Sequence, residues 1–455
     1  MIWSPQSLSK ALNIDIHIDT YCGQIQFNSN DVVQGDLFIA LQGNNDGHNY
    51  VVDALARGAS AVIVNRKIPG VERHKMILVS DTLVALHQLA EYKRSKSKAK
   101  FIGVTGSSGK TSTKEAIKTV LSAFGPTFAS RGNFNNHLGV PLNLASMPDN
   151  TEYAVIEMGM NHEGEIRALT QMVKPDIALI TTIAEAHLEF FESMLHLADA
   201  KCEIFEGMSK DGTAVINLDN QYYSRVLQNL HKQSIKNIYS FGESPNAQSR
   251  LVSYEQVGAG VRLKYSILSD EVIIEMPFIP KHYARNYAAV LTIASILKQD
   301  INIAARQLST IPLTIGRGLL VNAKRAGHNY QIIADYYNSN PESLKASLEY
   351  LKLLSGRKKV AIIGDMLELG ENSQTLHEGV IHTIINSGAQ SVFLVGKNAK
   401  YIYELLPSEV HKKHFDDVES LINNIDELFQ GNELVLIKGS RGIQLDRIIQ
   451  LFEIL

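Results

Sequence analysis

Short continuous apolar runs, separated by stretches whose apolar positions fall three and four apart, recur along this chain. Such runs fit strands buried on both faces, and the stretches between them fit crossover helices. Near the start, "GDLFIAL" and "GASAVIV" predict strands and "YVVDALARG" a helix between them, together a small α/β unit. Further on, "EYAVIEMG", "PDIALITTI" and "TAVINLD" predict buried parallel strands. Residues 251–278 differ: apolar and polar positions alternate between hairpin-like turns, so an antiparallel edge or side sheet is expected. "HYARNYAAVLTIASIL" then predicts a helix. Beyond "IPLTIGRG", residues 311–318, the alternation is clean. Strands are expected at "YQIIADY", "KVAIIGD", "SVFLVG" and "ELVLIKG". Helices are expected at "PESLKASLEYLKLL", "QTLHEGVIHTIINSG", "NAKYIYELL", "VESLINNIDELF" and "LDRIIQLFEIL". That pattern is a doubly wound, Rossmann-like unit without a GxGxxG fingerprint.

Length and composition narrow the classes. A chain of 455 residues makes roughly two to four domains. The charge run "EYKRSKSKAK", residues 91–100, marks a first boundary and reads as a solvated helix end. Lys and Arg number 44 against 47 Asp and Glu, a net charge of −3, which argues against nucleic-acid binding driven by bulk positive charge. Cys22 and Cys202 show neither metal-ligand spacing nor a disulfide framework, so a reducing, cytoplasmic compartment fits. The N-terminus lacks the basic start and apolar run of a secretory signal, and no apolar stretch reaches about 18 residues, so no transmembrane helix is expected.

The chemistry concentrates first at "GVTGSSGKTSTKEAIKTVL", residues 103–121. Residues 101–104 end a buried strand, and Gly106, Ser107, Ser108 and Gly109 can turn tightly with their N–H groups aimed inward. Ala116, Ile117, Val120, Leu121 and Phe124 then recur at helical spacing up to Gly125 and Pro126. The helix N-terminus therefore points at the loop, where free N–H groups and the dipole favour an anion. Lys110 adds a point charge, and the Thr111 hydroxyl can ligate Mg²⁺. The match to a P-loop is imperfect, because Val104 stands where the pattern has its first glycine. An ordinary glycine-rich turn is the plain alternative. Glu157 closes "EYAVIE" and His187 follows "PDIALITTI", both at the carboxyl ends of strands, where open α/β sheets bind ligands. Each taken alone reads equally as a solvated carboxylate or a non-ligand loop histidine.

Eight segments in order carry a family resemblance: "GVTGSSGKTSTKE", "GNFNNHLGVP", "IEMGMNHEGEI", "TTIAEAHLEFF", "DAKCEIFEGM", "YNSNPESLKASL", "GDMLELGENSQTLHEG" and "KGSRG". The chain resembles the Mur ligase family over nearly its whole length. The last two segments narrow the likeness to the branch that adds D-alanyl-D-alanine to a UDP-N-acetylmuramoyl-tripeptide. The resemblance implies an α/β protein of three domains: a UDP-binding domain over residues 1–98, a P-loop-type ATPase domain over 99–314 and a Rossmann-like domain over 315–455. It implies ATP, two Mg²⁺ ions and an acyl-phosphate intermediate, with UDP-N-acetylmuramoyl-tripeptide and D-alanyl-D-alanine as partners; a monomer is the expected state. Gly106, Ser107, Ser108, Gly109, Lys110, Thr111 and Ser112 would hold the phosphates. Thr111 and Glu157 would hold one Mg²⁺ and His187 the other, with Lys201 carboxylated on its side-chain nitrogen to support that second ion. Asn286 would lie near the adenine, Arg317 would reach the phosphates and Asp335 the ribose. Asn338 and Asn340 would sit beside the closed site, although turn and capping chemistry explains them, with Pro341, as simply. Lys201 could equally be a surface lysine on a helix. Departures from the family pattern occur at Asn28 and Asn30, on either side of the matching Ser29, in the uridine segment, at Pro280 and Tyr283, at Ile315 and at Ala334.

Overall fold

The computed structural model describes residues 2–455 apart from 19, 259 and 312–314. Three sheets follow one another along the chain. The first is a four-stranded parallel sheet of β1 (Ile25–Gln26), β2 (Leu37–Ile39), β3 (Ala61–Val64) and β4 (Met76–Leu78). The helix Val51–Ala56 bridges β2 and β3, as the pattern of "YVVDALARG" suggests.

The second sheet has nine strands: β5 (Lys100–Thr105), β6 (Thr127–Ala129), β7 (Tyr153–Glu157), β8 (Ile177–Ile180), β9 (Thr213–Asn217), β10 (Asn237–Gly242), β11 (Ser249–Val257), β12 (Gly260–Ile267) and β13 (Asp270–Pro277). Their spatial order is β13-β12-β11-β10-β9-β8-β5-β7-β6. Pairing is parallel from β6 to β11 and antiparallel across β11, β12 and β13, so the alternating segment does form the expected side sheet. The chain leaves β5 toward β7 on one side and returns to β8 on the other. The carboxyl end of β5 is therefore a topological switch point, where an open sheet leaves a crevice.

The third sheet contains β14 (Leu319–Arg325), β15 (His328–Asp335), β16 (Lys358–Gly364), β17 (Ser391–Val395), β18 (His411–Phe415), β19 (Glu433–Lys438) and β20 (Glu453–Ile454), in the order β18-β17-β16-β19-β15-β14-β20. β15 to β18 with β19 are parallel, and β14 and β20 are antiparallel additions at one edge.

Several sequence-based expectations need correction. "LDRIIQLFEIL" is helical only over Asp446–Ile449; its end is strand β20, with Ala323 paired to Ile454. Phe452 is drawn against Tyr330 and Phe429, at centroid separations of 5.2 and 5.9 Å, and that burial brings the terminus to the open edge of β14. "QTLHEGVIHTIINSG" breaks into Ser373–Glu378 and Ile381–Asn386 around Gly379, and "VESLINNIDELF" into Val418–Ile422 and Ile425–Leu428 around two asparagines. Strands β10, β14 and β18 lack the continuous apolar signature that announces a strand; "HKKHF" forms β18 because an edge strand buries little.

The charge run at 91–100 is not simply solvated. Lys93, on the helix Thr82–Lys96, is 5% exposed; its ammonium donates to the Ile2 carbonyl at 2.9 Å, pairs with Asp149 and lies 4.7 Å over the Trp3 ring. Arg94 donates to the Val173 and Lys174 carbonyls at 2.5 and 2.8 Å and stacks 4.0 Å over Phe101. These cations fasten the first unit onto the second. A continuous apolar cluster does the same, uniting Trp3, Ile25 and Leu37 with Phe101, Val140 and Ile156. The opposite face of the second sheet shares its core with the third unit, where Phe278 stacks on Tyr350 at 5.4 Å.

Candidate functional site

Between the second and third sheets lies a cleft of about 830 Å³. Its floor is the turn after β5. Gly106 has φ of +150°, and a Cβ there would meet Thr181 Oγ1 at 2.0 Å, so only glycine fits. Gly109, at φ +75°, caps the helix Lys110–Leu121, and a Cβ on it would strike Asn286 Nδ2 at 2.6 Å. The turn is braced from β8: Ser107 N–H donates to the Thr182 carbonyl at 2.8 Å, Ser107 Oγ to the Ala184 carbonyl at 2.8 Å, and Thr181 Oγ1 to the Ser108 carbonyl at 2.6 Å. Ser107 to Ser112 line the cleft where the helix begins, and a glycine-bearing turn at a helix N-terminus is the arrangement that binds phosphate.

Lys110 donates to the Gly106 carbonyl at 2.7 Å. Burial holds its ammonium below the usual lysine range; the Glu157 carboxylate pulls the other way and Arg317 reinforces the drop. A cation so placed gains most when an anion arrives. Thr111 Oγ1 donates to Glu157 Oε2 at 2.8 Å, and Asn135 Nδ2 donates to Glu157 Oε1 at 2.7 Å. Thr111 and Glu157 thus converge as hard oxygen donors. Among the described residues no three His, Cys, Asp or Glu side chains cluster as a complete metal cage. A hydroxyl and a carboxylate, with phosphate oxygens completing the shell, fit Mg²⁺.

His187 lies at the cleft wall with φ of +59°, and its Nδ1 sits 2.6 Å from Oε2 of Glu368, itself at φ +63°. Two non-glycine residues in the left-handed region thus meet between the second and third units, a strained juxtaposition of the kind that gathers at functional sites. The side chain of His187 holds the Glu368 carboxyl below its ordinary range.

The third unit supplies the opposite wall. Arg317 stacks 3.9 Å over Tyr337, and its carbonyl accepts from the Tyr283 hydroxyl at 2.6 Å. Asp335 Oδ2, at the end of β15, accepts from Ser347 Oγ at 2.5 Å and lies 3.0 Å from Lys438 Nζ, its register partner on β19. Asn340 is the N-cap of the helix Pro341–Leu353, in a reciprocal capping box with Ser343, so the capping explanation of "NSNP" holds for it.

Most residues singled out from the sequence line this one cleft: Ser107 to Ser112 of the loop, Glu157, His187, Asn286, Arg317 and Asp335. Gly106 and Lys201 lie outside its lining. Gly106 acts through the turn. Lys201, on the helix Met194–Cys202, is not a surface lysine: it is 2% exposed, and burial followed by the like charge of Lys110 holds its amine well below the usual range. Sequence reasoning missed Thr182, Glu342 and Arg285. Thr182 Oγ1 is 3.3 Å from both Glu342 oxygens, and Arg285 lies 3.6 Å from that carboxylate, which burial raises. No motif spacing announces them, because they meet only when the third unit docks on the second. Nothing in the spacing of "KGSRG" marks Lys438 for a role; its burial beside Asp335 supplies one.

Comparison with known proteins agrees with this geometry. Residues 104–294 match the Mur ligase middle domain and residues 316–441 the Mur ligase glutamate ligase domain. The UDP-N-acetylmuramoyl-tripeptide–D-alanyl-D-alanine ligase of Rickettsia prowazekii is 52% identical over 453 residues, covering 100% of both chains. Among solved structures, MurF from Acinetobacter baumannii superposes with a TM-score of 0.84 at 29% identity, covering 99% of each chain. MurF from Thermotoga maritima in complex with ADP gives a TM-score of 0.77 at 27% identity, over 94% of this chain and 96% of that one. Similarity of this extent, running unbroken from the first sheet to the last, means that the chain belongs to the Mur ligase family.

Proposed function

We infer that this protein is an ATP-dependent amide ligase that joins D-alanyl-D-alanine to a UDP-N-acetylmuramoyl-tripeptide, a step in building peptidoglycan precursor. The observation that carries the reading is the cleft itself, where a phosphate-binding turn on one sheet faces Arg317, Asp335 and Lys438 on another. ATP and a carboxylate substrate meet there, and the phosphate acceptor is that carboxylate rather than water.

In the proposed division of labour, the N–H groups of residues 106–112 cradle the phosphates, and Lys110 and Arg317 offset charge on the transferring phosphoryl group. Asn286 packs against the turn near the adenine, and Asp335 receives the ribose hydroxyls. Thr111 and Glu157 would hold one Mg²⁺, and His187 with a carboxylated Lys201 would hold a second. Mg²⁺ supplies Lewis-acid neutralisation of the phosphate oxygens. The substrate carboxylate oxygen bonds to the γ-phosphorus as the bond to ADP breaks. The dipeptide amine then adds to the acyl carbon and loses a proton, and phosphate leaves from the tetrahedral intermediate. Lowered amine basicity at Lys201 supports carboxylation, because the neutral amine is the form that adds to CO₂.

The three sheets support a division at 98/99 and 314/315; residues 312–314, at the second boundary, lie outside those described. The first unit is the proposed UDP-binding domain. Two free, buried cysteines support a reducing, cytoplasmic setting, and a monomer is the expected state. Among the described residues no helix is long and apolar enough to cross a membrane.

The decisive experiment is incubation with ATP, Mg²⁺, D-alanyl-D-alanine and a UDP-tripeptide carrying either diaminopimelate or lysine, with products identified by mass. Formation of UDP-pentapeptide, ADP and phosphate only when all substrates are present is the expected result. ATP hydrolysis without both peptide substrates points instead to a nucleotide switch.

A further inference from the structure

The most completely enclosed cation of the second unit has no part in the proposed chemistry. Lys114, on the helix that begins at Lys110, is 0% exposed. Its ammonium donates to the Ser130 carbonyl at 2.6 Å and the Gly132 carbonyl at 2.8 Å, and lies 3.0 Å from Glu115 Oε1. Glu157 Oε2 is 4.0 Å away. A charge removed from water is costly unless its donors are met, and here two carbonyls and a carboxylate surround it. Packing alone would be served by an apolar side chain of the same length, so the retained charge calls for another explanation.

That explanation lies in the segment it grips. Ser130 N–H donates to the Val155 carbonyl at 3.0 Å, and Ser130 Oγ accepts from the Glu157 N–H at 3.0 Å. The next residue, Arg131, reaches the first sheet, donating to Gln26 Oε1 and the Ile25 carbonyl at 3.1 Å each. Just beyond Gly132, Asn133 and Asn135 enter the cleft, and Asn135 holds Glu157. Three consecutive residues therefore join the phosphate-loop helix, the acidic end of β7 and the sheet proposed to carry the UDP end of the acceptor.

We propose that Lys114 is a positioning residue: by clamping residues 130–132 it sets the first sheet, and the acceptor substrate held there, in register with the phosphate loop. This rests on the ligase reading above. Its signature is a split between binding and turnover. ATP-side contacts come from the loop and the third unit, so Lys114→Met should bind ADP with an affinity within about threefold of the parent. Its kcat should fall about a hundredfold, as displacement of reacting groups by an ångström does, and its KM for UDP-tripeptide should rise.

The test uses full-length protein, with ADP affinity by calorimetry and separate kinetic constants for each substrate. Parental kcat in Lys114→Met, or ADP affinity falling in step with kcat, overturns the proposal. Should Lys114→Met not fold, Arg131→Lys carries the test from the other end of the tie. That change keeps the charge but loses the two-pronged reach to Ile25 and Gln26. A raised KM for UDP-tripeptide with unchanged ADP affinity supports the proposal, and an unchanged KM overturns it. Failure of the ligase reading would show separately, as parent protein forming no UDP-pentapeptide.

Discussion

At the scale of single residues, burial decides what several charged side chains can do. Lys201 is enclosed and sits within the field of Lys110, so its amine gives up a proton more easily than an ordinary lysine. In the proposed reading, addition to CO₂ would give a carbamate and release a proton, reversing the charge from plus to minus. Lys201→Ala is expected to lose nearly all activity, and acetate or formate to restore part of it by filling the vacated anion position. Undiminished kinetics in that variant would rule the carbamate out. Lys110→Ala is expected to abolish ligation with its unfolding midpoint unchanged, because the side chain faces the cleft; near-normal turnover would remove the loop from the mechanism. His282 gives a pH prediction. Burial, then the charges of Arg285 and Lys438, depress it from 6.5 to about 3. The unfolded chain therefore takes up a proton near 6.5 that the folded chain refuses until about 3. Its contribution to stability is complete above 6.5 and is lost as pH falls through that window. Urea midpoints at pH 7 and 4.5 should differ less in His282→Gln than in the parent; an equal difference would show that His282 does not stay neutral.

At the scale of elements, local chemistry and tertiary demand part company. "NSNPES" read from the chain as either site or helix cap, and Asn340 caps the helix Pro341–Leu353 with Pro341 in its first turn. Asn340→Ala should cost about 1 kcal/mol of stability, the usual worth of an N-cap, measurable by thermal or chemical unfolding. No change in midpoint would mean that docking against the second unit, through Glu342 and Thr182, holds that helix start without the cap. The buried parallel strands β5, β7, β8, β15, β16, β17 and β19 were legible because burial on both faces demands unbroken apolar runs. The C-terminal "LDRIIQLFEIL" was not, because its apolar residues suit a helix and only the open edge of β14 turns Glu453–Ile454 into a strand.

At the scale of the whole molecule, the cleft is shared property. Arg317 and Asp335 belong to the third unit, whereas the phosphate loop belongs to the second. Contacts already cross between them, at Glu342 with Thr182 and at Glu368 with His187. Turnover requires substrate to enter and product to leave, so the units are expected to open and close about a hinge near residues 311–318, of which 312–314 lie outside those described. X-ray scattering should give a smaller radius of gyration with a non-hydrolysable ATP analogue and UDP-tripeptide than without. Identical curves would leave large closure unsupported.

The phosphate turn, the alternation of strands and helices, and the place of Glu157 at the end of β7 and of His187 in the loop after β8 were all readable in the linear chain. Each depends on spacing within a few residues, where glycine freedom, helical period and strand burial act locally. The bracing of Gly106 by Thr181, the enclosure of Lys114 and Lys201, and the joining of Lys93 to Trp3 were not readable. Those features pair residues distant in sequence, and no local period records which lysine a fold will bury. Whether a charge lies in water or in a low-dielectric interior is a property of everything packed around it, and only the assembled sheets decide that.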